Sequence, residues 1–161
     1  MDNTQTLIEE WYKRVSVTQV AHYHSSDYFG KMKYRLGVPA IGFATFAGTT
    51  VFATLQQQSN IYLQVAIGLA SVAAAVLVGL QTFMGYSERA EKHRVAGAKY
   101  GAIGRHLESM RSQPDTITND ALDRIRERLD WLAEESPNNS LKIYNRVGSK
   151  DLEITPARNP G

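Results

Sequence analysis

The stretch that decides the fold runs from Leu36 to Ser87 and reads LGVPAIGFATFAGTTVFATLQQQSNIYLQVAIGLASVAAAVLVGLQTFMGYS. It contains no charged residue, although the 161-residue chain has 18 Lys and Arg and 16 Asp and Glu. Ionised side chains are costly in lipid hydrocarbon, so a membrane-embedded segment explains the gap. The alternative is a hairpin buried in a soluble protein, and a chain of this length has little other mass to surround one.

A short polar break, Gln-Gln-Gln-Ser-Asn at 56–60, divides this stretch into two apolar parts. About 20 helical residues cross the hydrocarbon core of a bilayer. We therefore predict transmembrane helices at 36–55 and 61–86, joined by an external loop at 56–60. The predicted fold is an all-α membrane protein built on a two-helix transmembrane hairpin.

Basic residues flank both ends of this pair: Lys31, Lys33, Arg35, Arg89, Lys92 and Arg94. The loop between the two apolar parts carries no charge. Because cytoplasmic flanks are enriched in Lys and Arg, we predict a multi-pass protein with both termini in the cytoplasm.

The arm before the pair, residues 1–35, predicts an amphipathic cytoplasmic helix. Its apolar residues Ile8, Trp11, Tyr12 and Val15 recur at helical spacing. Pro39 favours a break between this helix and the first span, near residue 36.

The arm after the pair predicts cytoplasmic helices at 87–135, with the second span continuing into the first of them. A shorter helix is predicted from Thr118 to Glu135, with Leu122, Ile125, Leu129 and Leu132 on its apolar face. The tail, 136–161, contains a weakly alternating segment that predicts a small C-terminal β-hairpin.

Small residues recur at helical spacing in three places, which predicts close helix packing. The three sets are Ala40, Ala44 and Gly48; Ser71, Ala75 and Gly79; and Gly97, Gly101 and Gly104. One transmembrane set suffices to close the hairpin, and the other leaves room for a homo-oligomer. The glycine set indicates either a close approach by the N-terminal helix or a frayed, kinked helix.

Polar side chains inside the two spans are candidates for lining a pore: Thr45, Thr49, Gln64 and Gln81. One pair of helices cannot enclose water, but a ring of pairs can. Without a charged ring, such a pore would select poorly between ions. The alternative is that the Thr hydroxyls bond to their own helix and the Gln amides bridge helices.

Enzymatic chemistry finds little support in the chain. It has no cysteine, and it lacks nucleophile-elbow, P-loop and dinucleotide motifs. His22 and His24 diverge on a helix, so we predict no metal site and no cofactor. A net charge of +2 gives no reason to expect nucleic-acid binding.

Six short motifs and a tyrosine occur in a distinctive order: QVAHYH at 19–24, YRLGVP at 34–39, AGTTVF at 47–52, LQTF at 80–83, ERAEKHR at 88–94, Tyr100, and LE at 107–108. Over roughly residues 8–135 the chain resembles the SLATT family of two-transmembrane effector domains from prokaryotic conflict systems. The resemblance implies a pore-forming effector of the inner membrane, which depolarises infected cells in abortive infection by phage. It also implies a trigger, either a nucleotide second messenger or a sensor protein.

Gating of such a pore is expected where the second span leaves the membrane, at Glu88, Arg89, Lys92 and His93. Simple anchoring by basic residues is the alternative for this cluster. Two other functions stay open: a non-conducting membrane-anchored adaptor that recruits a cytoplasmic partner, and a holin-like lysis protein.

Overall fold

A computed structural model describes residues 3–54, 60–113 and 117–154. In this part the chain forms α1 (Asn3–Thr54), α2 (Ile61–Met84), α3 (Tyr86–Ser112), α4 (Asn119–Glu135) and α5 (Leu141–Ile154). The described residues contain no strand, so the all-helical class predicted from the sequence is confirmed.

The chain divides into two compact units. The apolar unit comprises Tyr28–Arg89, which includes the end of α1, all of α2 and the start of α3. The polar unit comprises the chain up to Asp27 and from Ala90 onward. This division follows the composition, since the uncharged stretch lies wholly inside the apolar unit.

The polar unit has one hydrophobic core, built from α1, α3 and α4. Its buried members are Ile8, Val15, Tyr100, Ile103, Leu107, Ile125 and Leu132. Trp11, Tyr12, Leu122 and Leu129 pack against them, which confirms the apolar faces predicted for the N-terminal helix and for α4. Burial of these apolar faces is the main stabilising contribution to the unit.

Helix α4 begins where the sequence places it. The hydroxyl oxygen of Thr118 accepts a hydrogen bond from the backbone N–H of Ala121, at 3.2 Å. An N-cap of this kind satisfies one of the donors that a helix start leaves unpaired. Asp120 lies in the first turn, where its negative charge interacts favourably with the positive end of the helix dipole.

Helices α1 and α3 pack antiparallel through the glycine face of α3. Tyr23 lies against Gly97, Gln19 against Gly101 and Val15 against Gly104. Farther along, Glu9 pairs with Arg111 at 2.9 Å. Of the two readings of the glycines, the close approach of α1 is therefore the one seen.

Alanine substitutions along this face are expected to differ in their effect on stability. Alanine is the better helix former by about 1 kcal/mol, so Gly104→Ala, whose Cβ would lie 3.6 Å from Val15 Cγ1, should stabilise the polar unit. Gly97→Ala should gain less or lose stability, because its Cβ would lie 3.2 Å from the Tyr23 ring. Denaturant midpoints from tryptophan fluorescence measure the difference. Equal gains for both variants would contradict the close packing of α1 here.

The predicted C-terminal β-hairpin is wrong. Residues 141–154 form the helix α5. At its start, the carbonyl oxygen of Ser140 accepts hydrogen bonds from the backbone N–H groups of Ile143 and Tyr144. Ile143, Tyr144 and Val147 share one helical face, and Val147 is buried. The apolar residues of one helical face resembled the alternation of a strand over this short segment. Burial of that face favours the helix. The tail beyond 154 lies outside the described residues.

Two predicted boundaries also differ from the structure. Helix α1 continues through residue 36 and includes Pro39, where a break was expected. Helix α2 does not run on as expected, because Gly85 has φ +57° and separates it from α3. Only glycine adopts that conformation readily. Of the predicted loop at 56–60, Asn60 alone is described, and its side chain caps α2; the rest lies outside the described residues.

Candidate functional site

Helix α2 carries its apolar side chains on the outside. In the described part of the chain, one helical segment is long and apolar enough to cross a membrane, with a mean hydropathy of 2.2 over its best window and 11% of that window buried. Leu69 is 67% exposed and Val72 62%. The core helix of a soluble protein would be mostly buried, so this surface calls for an apolar solvent or a partner.

The end of α1 and helix α2 lie antiparallel inside the apolar unit. They share a groove lined by residues between 39 and 46 of α1 and between 66 and 73 of α2. At one end of the pair, a Cβ added to Gly37 would lie 3.1 Å from Oε1 of Gln81. Small buried residues, Ala40 and Ala47 on α1 and Ala70 and Ala74 on α2, allow this approach.

The small-residue sets predicted from sequence contribute little to this contact. Only Ala40 is buried; Ala44, Gly48, Ser71, Ala75 and Gly79 are exposed. A Cβ at Gly48 or Gly79 would meet nothing within 4 Å. Apart from Ala40, both sets therefore remain available on the outer surface of the apolar unit.

The candidate pore-lining residues fall into two groups. Thr45, Thr49 and Gln64 are exposed on the apolar unit, whereas Gln81 is half-buried against Gly37. The Thr49 hydroxyl donates to its own helix, at 2.9 Å from the carbonyl oxygen of Thr45. Its oxygen can still accept a hydrogen bond from water.

The residues predicted at the membrane exit divide between the two units. Glu88 and Arg89 belong to the apolar unit, and Arg89 lies over the ring of Phe29 at 5.9 Å. Lys92 and His93 belong to the polar unit. Lys92 is exposed, whereas His93 is 4% exposed.

His93 is buried beside His22, a second histidine for which the sequence predicts no role. Nδ1 of His93 lies 3.0 Å from Nδ1 of His22, which is 2% exposed. One ring donates its N–H and the other accepts, so the pair needs at least one neutral imidazole. The His22 ring also stacks on Tyr100, with centroids 5.4 Å apart. This histidine pair joins α1 to α3 inside the polar unit.

Burial makes the histidine pair resist protonation. Desolvation, followed by repulsion from His93, lowers the pKa of His22 from 6.5 to about 4. Desolvation also lowers the pKa of His93. Both rings are therefore neutral at pH 7. One turn along α1, the buried hydroxyl of Ser25 donates to Oδ1 of Asn139 at 3.0 Å, so this face of α1 holds a second polar contact.

Metal binding has no donor set among the described residues, where no group of three His, Cys, Asp or Glu side chains converges. Comparisons with protein-family models, curated proteins and solved structures found no match for the chain.

Proposed function

We propose that this chain is an oligomeric, pore-forming effector of the prokaryotic inner membrane, which depolarises the cell when an anti-phage system triggers it. The proposed membrane location rests on the exposed apolar surface of α2. The anti-phage context comes from the resemblance to the SLATT family. In this proposal both apolar helices span the bilayer and both termini are cytoplasmic.

The polar residues on the outside of the apolar unit support a pore. Thr45, Thr49 and Gln64 are all exposed, and polar side chains within spanning helices more often face protein or a water-filled cavity than lipid. Protomers assembled in a ring would turn these side chains toward water. The exposed small residues of α2, such as Ala75 and Gly79, let a neighbouring helix approach closely.

The trigger in this proposal acts on the polar unit, as a nucleotide second messenger or a sensor protein. Whatever binds must favour the open state over the closed state, since equal affinity for both shifts no population. The adaptor alternative would need a surface for its cytoplasmic partner, and the apolar face of α4 is not accessible for that role, because Ile125 and Leu132 are buried in the core of the polar unit.

Membrane potential in bacteria expressing the chain tests this function, read with a potential-sensitive dye before and after the native system is triggered. Rapid depolarisation without loss of large dyes is the expected result. Simultaneous leakage of large dyes would favour a holin-like lesion. A steady potential, with the protein confirmed in membranes and the system triggered, would exclude the pore and leave the adaptor as the remaining function.

Removing the hydroxyls from the lining is expected to weaken conduction. The T45V/T49V variant keeps side-chain volume but makes the surface apolar, and apolar constrictions close pores by excluding water. Depolarisation should become severalfold slower at equal protein level. Thr18→Val is the matched control, because Thr18 also donates to its own helix but lies in the polar unit. Unchanged depolarisation in T45V/T49V would remove these residues from the lining.

A further inference from the structure

Cationic and aromatic side chains meet where α1 and α3 lie together at one end of the apolar unit. We call Phe29, Lys33, Tyr86, Ser87 and Arg89 the basic–aromatic cluster. The Phe29 and Tyr86 rings stack with centroids 6.2 Å apart. Nζ of Lys33 lies 3.4 Å from the Ser87 hydroxyl oxygen, and the Arg89 guanidinium lies 5.9 Å from the centre of the Phe29 ring.

The two cations of this cluster have no acidic partner among the residues that the structure describes. Within the described residues, neither Lys33 nor Arg89 takes part in an ion pair. From residue 28 to residue 89 the chain has four basic residues and one acidic residue, Glu88. The cluster therefore presents an ammonium and a guanidinium, with a hydroxyl between the helices, to a ligand that carries negative charge.

The position of the cluster along the chain specifies what that ligand is. Helix α2 has 24 residues, enough at about 1.5 Å each to cross the hydrocarbon of a bilayer. Tyr86, the first residue of the cluster on α3, lies two residues after the end of α2. Stacked aromatic rings at this depth are typical of the membrane–water interface. An anion at that depth, next to an apolar helix surface, is the phosphate of a phospholipid.

We infer that the basic–aromatic cluster is a binding site for the headgroup of an anionic phospholipid. Lys33 and Arg89 bind the phosphodiester, Ser87 donates to one of its oxygens, and the Phe29–Tyr86 pair supports the glycerol region. The site bridges α1 and α3, so an occupying lipid holds these two helices together at this end of the apolar unit. This inference rests on the proposed membrane insertion and adds a lipid dependence to it.

Native mass spectrometry of the full chain tests the site, in micelles containing equal amounts of phosphatidylglycerol and phosphatidylcholine with identical acyl chains. Wild type should retain phosphatidylglycerol preferentially. The preference should fall roughly tenfold for each basic side chain removed in K33Q/R89Q, the loss expected for a direct hydrogen bond to a charged group. An absence of preference in wild type would overturn the inference. So would displacement of the lipid by inorganic phosphate, which would indicate a site for free anions.

The matched control is K31Q/R35Q, which removes the same charge from exposed positions on the same turns of α1. This variant should keep the preference. If it loses as much as K33Q/R89Q, general attraction to a basic surface is the cause and the built site is overturned. Circular dichroism in phosphatidylcholine micelles checks folding. If K33Q/R89Q fails to fold, the wild-type preference and the K31Q/R35Q result still decide.

Flotation with pure phosphatidylcholine vesicles separates this inference from the proposed function. If wild type floats with these vesicles but shows no preference for phosphatidylglycerol in the mass-spectrometry experiment, the headgroup site alone is overturned. Wild type that stays out of them would overturn both, because the site has no membrane depth without insertion.

Discussion

Leu69→Arg is expected to displace α2 from the membrane, while the same substitution at Leu141 has no comparable effect. Both leucines are exposed, at 67% and 77%, but Leu69 lies near the middle of α2 and Leu141 begins α5. Arginine near the centre of a spanning helix costs about 3 kcal/mol on the insertion scale. That free energy shifts the ratio of inserted to uninserted chain by roughly a hundredfold.

The pair of variants separates lipid from water as the surroundings of α2. An exposed side chain in water tolerates replacement within about 0.5 kcal/mol, so a soluble helix would give the same result at both positions. The measurement is the fraction of chain that resists alkaline extraction from bacterial membranes, at matched expression. Equal extraction of L69R and L141R would mean that α2 does not face hydrocarbon, and the proposed function would fail with it.

The sequence predicted the helices best where one physical term dominated. The absence of charge from Leu36 to Ser87 is a single uniform signal, and it marked the apolar unit to within eight residues at its start and two at its end. The amphipathic faces of α1 and α4 were also readable, because burial of one face leaves a 3.6-residue period. Where terms competed, as at Pro39, the local signal for a break lost to the packing of Gly37 and Ala40 on α2.

The contact between Gln81 and Gly37 depends on a register that the sequence does not state. Gln81 was predicted as a pore-lining candidate because it is a polar side chain inside a span, and bridging between helices was the alternative. The structure places it against a glycine, where the missing side chain makes room for the amide. Which turn of α1 meets which turn of α2 is decided by the sum of many small contacts, so no single motif announces it.

The histidine pair was missed although part of its signal was present. His93 lies four residues before Gly97, on the same face of α3 as the glycines. Once α1 is placed on that face with Tyr23 over Gly97, the neighbouring His22 comes within reach of His93. The two residues are 71 positions apart, and only the register between α1 and α3 joins them.

Acid is expected to begin destabilising the polar unit near pH 6.5, although His22 in the folded protein is protonated only near pH 4. The pKa of His22 falls from 6.5 to about 4 on folding, because desolvation opposes the charged ring. Below pH 6.5 the unfolded chain therefore binds more protons than the folded chain. Stability is complete above that pH, declines as the pH falls toward 4, and loses about 3 kcal/mol from His22 in total. The lowered pKa of His93 acts in the same direction.

Tryptophan fluorescence reports this loss selectively, because both tryptophans, Trp11 and Trp131, lie in the polar unit. Denaturant unfolding of the full chain in micelles at pH 7.5 and at pH 5 gives the difference. For His22 it should be about 2 kcal/mol at pH 5. His106→Gln, which removes an exposed histidine, should keep the wild-type response.

The double variant H22F/H93F should lose the part of this acid response between pH 6.5 and 4 that comes from the histidine pair. At pH 7.5 it should also be more stable than H22F alone. The single change removes the His22 ring nitrogen that lies 3.0 Å from Nδ1 of His93, and breaking one side of a buried hydrogen bond costs about 1–3 kcal/mol, whereas replacing both rings with apolar rings of similar shape removes donor and acceptor together. If H22F and H22F/H93F were equally stable at pH 7.5, the two rings would not be coupled. An acid response retained by the double variant would assign the pH dependence to groups outside the pair.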